Sequence, residues 1–341
     1  MVARLVGRAY HLGARTCGAL APFWTSGCTD SGRAPPSPAV GSATWRAGMP
    51  LAMQCGMNIT LWGVRGSIAT SGPEFARFGG NTTCVEIEAD GARLIIDAGT
   101  GVRALGDKLI QEAHALGRPV EATFLFSHLH WDHIQGFPFF RPAYLPDADL
   151  RLHGPVHEDG STLQEVLIRQ MQPPTFPVPI AAMQSQPKFA TLAAGQLLEV
   201  GPFRVRTRAL CHPQGALGFR IEAGRRSMCF ATDTEHPDDG SLDESLLSLA
   251  RDVDLLIHDA QYTEAEYRGS SGSGPPRIGW GHSTHLAAAA VARAAGAGRL
   301  VLFHHDPAHD DDLVEAIEQD ARRAFEHSRA ARQGERFELG R

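Results

Sequence analysis

The heptapeptide Ser127-His128-Leu129-His130-Trp131-Asp132-His133 constrains this chain more than any other stretch. It sets three imidazoles and one carboxylate within six consecutive positions. Directly before it runs Ala122-Thr123-Phe124-Leu125-Phe126, an apolar run that reads as a buried strand. The chelating groups therefore sit where a strand ends and a turn begins. A turn can fan neighbouring side chains around one point, whereas a continuing strand would alternate them across two faces. Imidazole together with carboxylate suits borderline cations such as zinc, manganese or iron. Burying four such groups without a cation would carry a large desolvation cost, so a metal-binding loop is expected here.

Strand-like segments recur on both sides of this loop. The first series is 59–64, 83–88, 92–97, 122–127 and 149–153; the second is 203–209, 217–222, 226–231, 253–258 and 299–303. Helical spacing of apolar residues marks 101–116 and 161–171. Residues 284–295 are alanine-rich and follow Ser283, a suitable N-cap. A charged amphipathic helix is expected over 311–332, led by Asp310, Asp311 and Asp312 at its positive end. Segment 172–189 carries Pro173, Pro174, Pro177, Pro179 and Pro187 and is expected to be irregular. Residues 269–276 read as a loop. Two strand-rich halves with helices between them predict two packed sheets covered by helices.

Residues 1–56 differ from the rest. They hold Arg4, Arg8, Arg15, Arg33 and Arg46 against Asp30, with a Ser/Pro/Gly/Ala-rich stretch at 31–42. That composition cannot readily pack a core, and a disordered N-terminal extension is expected, followed by one domain over 57–341. A targeting segment or a flexible tail would share these properties. The abrupt onset of patterning at Met57-Asn58-Ile59 favours a third reading, translated upstream sequence with the start at Met53 or Met57. The chain is 43% hydrophobic and 21% charged with a net charge of -6, values of a globular protein rather than a general nucleic-acid binder. It has no run of eighteen apolar residues, so no membrane span is expected. Its six cysteines form no C-x-x-C pair, which favours a reducing cytoplasm.

More polar residues stand at predicted strand ends: His212 after 207–211, Asp233 after 229–232, Asp259 after 255–258, and His304 with His305 after 300–303. With this set in order, the chain resembles the metallo-β-lactamase-superfamily hydrolases. The matching motifs are H-x-H-x-D-H at 128–133, then His212, Asp233 and His304. Within that superfamily it resembles the phosphodiesterase branch, which includes the tRNA 3′-processing endonucleases (RNase Z) and cyclic-nucleotide phosphodiesterases. His258-Asp259-Ala260-Gln261 is similar to that branch's H-E-A-T, with Asp for Glu, and Gly281-His282-Ser283-Thr284 matches its G-H-S-T.

The resemblance implies a four-layer αββα sandwich, an α/β fold, and two divalent cations, zinc first and manganese second. His128, His130 and His212 would hold one cation, Asp132, His133 and His304 the other, and Asp233 would bridge them. Of His304 and its neighbour His305, the resemblance places the ligand at His304. Asp97 would support the metal loop without being a ligand. Asp132, His282 and Asp259 form the implied catalytic set, with His282, oriented by Asp259, protonating the leaving group. Arg65 and Asn81 are candidates for a substrate phosphate, Arg65 equally for a structural ion pair. Trp131 and the run Phe137-Pro138-Phe139-Phe140 are expected to pack around the first metal loop.

The expected activity is hydrolysis of a small phosphodiester, a cyclic nucleotide among the candidates. The alternative of tRNA 3′-end cleavage needs a basic surface, yet segment 155–200 offers only Arg169 and Lys188 against Glu158, Asp159, Glu165 and Glu199. Nucleic acid is therefore not the expected partner. Thioester or lactone hydrolysis, and a low-turnover metal-holding sensor, are further alternatives. A homodimer is expected from the resemblance.

Overall fold

The computed structural model describes residues 56–237, 239–270 and 272–340, so the expectations placed on residues 1–55 lie outside the described residues. The first half of the domain holds β1 (Met57–Gly63), β2 (Cys84–Ala89), β3 (Ala92–Ile96), α1 (Val102–Leu116), β4 (Glu121–Leu125), the short α2 (Trp131–Ile134), β5 (Asp149–Gly154), α3 (Leu163–Gln170) and β6 (Lys188–Thr191). The second holds β7 (Leu197–Val200), β8 (Phe203–Leu210), β9 (Ala216–Ala223), β10 (Arg226–Ala231), α4 (Glu244–Ala250), β11 (Leu255–Asp259), α5 (Glu264–Arg268), α6 (His285–Ala295), β12 (Leu300–Phe303), α7 (Asp311–Ala324), β13 (Ser328–Ala330) and β14 (Arg336–Leu339).

Two seven-stranded sheets result, ordered β14-β1-β2-β3-β4-β5-β6 and β13-β12-β11-β10-β9-β8-β7. Each joins an antiparallel meander to a run of parallel strands. The pairings from β14 to β3 and from β7 to β10 are antiparallel, and those from β3 to β6 and from β10 to β13 are parallel. Alternation drives the packing. Ile59, Leu61, Val85, Ile87 and Ile96 of one sheet meet Val205, Phe219, Ile221, Phe230 and Ile257 of the other in a shared core. The other face of the first sheet sends Ile95 and Phe124 onto Leu105 and Leu109 of α1. The other face of the second sheet sends Cys229, Leu256 and Leu302 onto α4, α6 and α7. The layers are therefore αββα, the expected sandwich.

Element boundaries differ from expectation where a cap decides them. Thr284, not Ser283, caps α6: its Oγ1 accepts from the Ala287 N–H at 3.2 Å, while Ser283 Oγ donates to Thr234 O. The helix expected over 311–332 stops at Ala324, because the chain turns at Phe325 and pairs β13 with β12. Short strands β6, β7, β13 and β14 lie at or near the sheet margins, where brief segments carry little periodic signal. Cys84 and Cys229 are buried free thiols. No helix among the described residues is long and apolar enough to cross a membrane.

Candidate metal centre

The polar residues converge where strands of both sheets end. The turn after β4 brings in His128, His130, Asp132 and His133; β8 leads to His212, β10 to Asp233, β11 to Asp259 and β12 to His304. Asp97 (φ 59°), Asp233 (φ 59°), His304 (φ 64°) and Ser67 (φ 61°) all take left-handed backbone conformations, which abruptly redirect the chain at the cluster. Such conformations are costly for residues with a Cβ and concentrate at functional sites.

The facing atoms form two overlapping groups around Asp233. In the first, His212 Nε2 lies 3.2 Å from His130 Nδ1 and 3.9 Å from Asp233 Oδ1, and His128 Nε2 lies 3.6 Å from Asp233 Oδ1. In the second, Asp132 Oδ2 lies 3.3 Å from His133 Nε2 and 3.2 Å from His304 Nε2. Asp233 completes this group with Oδ2 at 3.4 Å from His133 Nε2 and Oδ1 at 3.4 Å from His304 Nε2. Ligands bound tetrahedrally at zinc-like bond lengths stand about 3.3 Å apart, so these spacings suit two cations. The donor set fits on a second ground. His128 Nε2, His133 Nε2 and Asp233 Oδ2 are buried with no hydrogen-bond partner, a condition that bound cations relieve.

Each imidazole is aimed by its other nitrogen. His133 Nδ1 donates to Asp97 Oδ2 at 2.8 Å, and Asp97 Oδ1 accepts the Ser127 N–H at 2.7 Å. His304 Nδ1 donates to Gln261 Oε1 at 2.8 Å. His212 Nδ1 donates to Gly281 O at 2.9 Å. His128 Nδ1 lies 3.1 Å from Ser127 Oγ, and His130 Nε2 lies 3.0 Å from Gln214 Oε1. Asp132 Oδ2 accepts from the Ser67 N–H at 2.7 Å. These contacts fix tautomer and ring direction, as outer partners of metal ligands do. Two glycines make the approach possible: a Cβ on Gly66 would lie 2.4 Å from the His304 ring, and one on Gly281 2.2 Å from His212 Nδ1.

Burial and charge set the protonation balance. Burial pushes His128 down, and it pushes His212 down to about 4. Burial opposes charge on His133, but Asp132, Asp233 and Asp97 together hold it above its ordinary value. Burial also opposes ionisation of Asp233, yet His304, His133 and His128 keep it well below the usual carboxylate range.

Beside the cluster, His282 Nδ1 lies 2.8 Å from Asp259 Oδ2, and its ring stands 5.1 Å from His212 and 5.0 Å from His304, centroid to centroid. Burial would lower its pKa, but Asp259, then Asp233 and Asp132, raise it to about 9. Asp259 is itself locked. Oδ1 accepts the N–H groups of Ser283 (2.9 Å) and Gln261 (3.1 Å), and Oδ2 accepts that of Asp233 (3.0 Å). Tyr267 Oη, Gly279 N and Gly281 N all donate to Glu235, which ties down the loop carrying Gly281 and His282. Sequence reasoning did not single out Glu235, Gln214 or Gln261; only Gln261 lay inside a motif read for function.

Several other expectations separate here. His305 points away, its Nε2 donating to Ala331 O at 3.0 Å, so His304 is the imidazole that reaches the cluster. Arg65 is fully buried and donates to the carbonyls of Gly79, Asp306 and His309, which makes it structural through backbone oxygens rather than an ion pair. Asn81 Oδ1 accepts from Thr100 Oγ1. Phe137 and Phe140 are buried as expected, but Trp131 is 60% exposed and Phe139, also exposed, packs edge-on against Phe176. The turn that gathers His130 and Asp132 inward leaves the residue between them facing out.

The sequence profile of the Beta-lactamase superfamily domain matches residues 92–305, more than half of the chain, and the chain belongs to that family. Within it, the chain falls in the metallo-β-lactamase superfamily, on the ribonuclease Z-like branch. It is 25% identical over 287 residues to Ribonuclease Z of Streptococcus equi subsp. equi (strain 4047), covering 70% of this chain and 87% of that protein. The fold is similar to that of the metallo-beta-lactamase fold protein YhfI from Bacillus subtilis, with a TM-score of 0.60 at 20% identity over 84% of this chain and 100% of that one. It is also similar to a diphosphatase from the PhnP family, with a TM-score of 0.55 at 17% identity over 83% of this chain and 98% of that one.

Similarity to a protein named as a ribonuclease runs against the expectation that nucleic acid is not a partner. That expectation rested on the net charge of -6 and on the charges of 155–200. The basic residues lie just beyond: Arg204, Arg206 and Arg208 alternate on the exposed side of β8. Arg206 and Arg208 join Arg220 and Arg251 around a surface cavity of about 290 Å³, with Glu222 and Asp252 as its acidic members.

Proposed function

We propose that this protein hydrolyses a small phosphodiester, a cyclic nucleotide among the candidates, with two divalent cations, zinc or alternatively manganese. His128, His130 and His212 would hold one, Asp132, His133 and His304 the other, and Asp233 would bridge them. When bound, such a pair neutralises phosphoryl charge and activates a water molecule. Asp132 presents Oδ2 to the second group and leaves Oδ1 to accept a hydrogen bond from that water. Asp259 holds His282 by Nδ1, which leaves Nε2 as the nitrogen that can donate a proton to the departing ester oxygen. The observation that carries this reading is the His282–Asp259 pair set beside a complete ligand cluster, since phosphodiester cleavage needs both an activated water and a proton for its leaving group.

The test uses full-length protein loaded with zinc or manganese, assayed on bis(p-nitrophenyl) phosphate and on diesters with alkoxide leaving groups. Hydrolysis is expected. His282→Ala should lower kcat by about 10²–10⁴-fold for an alkoxide and by less for p-nitrophenolate, which departs without a proton. An equal loss on both would remove His282 from the role of acid.

A second reading, RNA cleavage, is favoured by the ribonuclease relative and by the arginines of β8. Cleavage of structured RNA that weakens in Arg206→Ala/Arg208→Ala, with small-diester turnover unaltered, would support it.

A further inference from the structure

Between the ends of the two sheets, bordered by His128, lies a cavity of about 310 Å³. Residues following β5, β6 and β8 and those opening β9 surround it. Buried Leu192 and Leu217 line it together with exposed Val156, Ala193 and Ala209. Among the described residues that line it, none is Asp, Glu, Lys or Arg. It meets the metal centre twice. His128 is part of its wall, and so is Gln214, whose Oε1 sits 3.0 Å from His130 Nε2. His282 is not among its lining residues.

We infer that this cavity takes the ester group that stays on phosphorus, and that this group is an uncharged ring, aryl or planar heterocyclic. The inference rests on the phosphodiesterase reading, and three physical arguments support it. The leaving oxygen must reach His282, so the group beside His128 is the one retained. His157, the other imidazole in the wall, already faces Asp159 Oδ1 at 3.0 Å, so a second phosphate or a sugar acid would find no unengaged cation among the lining side chains, and desolvating an unpaired anion there is unfavourable. The volume lies at the lower end of the range for small-ligand pockets, roughly 300–1,000 Å³, enough for one ring system but not for a length of polymer. The preferred substrate is thus lopsided: a charged phosphoryl on the metal centre with an apolar substituent beside it. The arginine-lined cavity near β8 has the opposite chemistry, so a polyanion would engage the molecule there.

The experiment compares methyl p-nitrophenyl phosphate with phenyl p-nitrophenyl phosphate, which share a leaving group. It also compares methylphosphonate with phenylphosphonate by titration calorimetry on the metal-loaded full chain. The phenyl member should be favoured by at least about 10-fold in kcat/KM and in affinity, since a single added methylene in an apolar pocket already changes selection by 10-fold or more. Ala193→Trp, which fills the cavity from an exposed position, and Val156→Asn, which makes its rim polar, should each bring the ratio toward one. A ratio near one in the unaltered protein overturns the proposal. So does a phenyl preference that both variants keep, and so does failure to bind either phosphonate. If phenylphosphonate binds preferentially and no diester is hydrolysed, the cavity assignment stands and the hydrolytic reading falls.

Discussion

The two halves of the candidate metal centre are built differently. The half formed by Asp132, His133 and His304 is buried, and one of its outer contacts is charged: the Asp97 carboxylate on His133, beside the Ser67 N–H on Asp132 and the Gln261 amide on His304. The half formed by His128, His130 and His212 is partly open. Its outer contacts are neutral: a serine hydroxyl, a backbone carbonyl, and the side chain of exposed Gln214. A buried carboxylate makes its imidazole a better donor and fixes its direction, and a neutral exposed amide does so less. The buried half should therefore hold its cation more tightly. The open half borders both the apolar cavity and His282, and it can exchange partners with substrate.

Asp233 joins the halves, and its loss should have the largest effect. Asp233→Asn keeps the shape but removes the charge that both groups share. Metal content should fall from near two toward zero per chain, and turnover by about 10³-fold or more, since the several kcal/mol that such cations supply are worth a factor of ten per 1.36 kcal/mol. Elemental analysis of protein purified without chelators measures this. Retention of one full equivalent would show that one half keeps its cation without the shared carboxylate, which would overturn the dependence on Asp233 and widen the contrast between the halves. Next comes Asp97→Asn, which should weaken the buried half about 10–100-fold in metal affinity while leaving the open half occupied. Equal loss from both halves would mean that Asp97 supports the fold rather than His133.

Much of this centre was legible beforehand, and its layout explains why. The clustered imidazoles and carboxylates follow strands, so the run Ala122–Phe126 and the three imidazoles after it point to both a buried strand and a turn that gathers polar groups. The sandwich followed from two series of strand-like segments. What stayed hidden depends on tertiary contact. Gln214 lies in a loop with no pattern of its own and matters because β8 and β9 carry it to His130. Glu235 is an ordinary acid until the loop around Gly279 and Gly281 folds onto it. The exposure of Trp131 could not be read from a heptapeptide whose other members turn inward. The matching of the two sheets, each a meander joined to parallel strands, left no sequence repeat, because topology can recur while side chains diverge.

Gln214→Ala should have the smallest effect, and it sharpens the contrast most. Nothing else about the turn needs to change, because Gln214 is exposed and its side-chain oxygen bonds to His130. Without that contact His130 keeps Nδ1 facing His212 but loses its rotational anchor. A neutral, solvent-exposed partner should be worth less than the 10–100-fold typical of outer-shell contacts, so a fall below about 10-fold in affinity for one of two metals is expected. Titration of the metal-loaded protein with a graded chelator, read by metal retained after desalting, should show two steps. Gln214→Ala should move the first, weaker step and leave the second in place, whereas Asp97→Asn should bring the second toward the first. A single merged step in the unaltered protein would make the two halves energetically alike, and the difference in their outer contacts would then carry no thermodynamic weight.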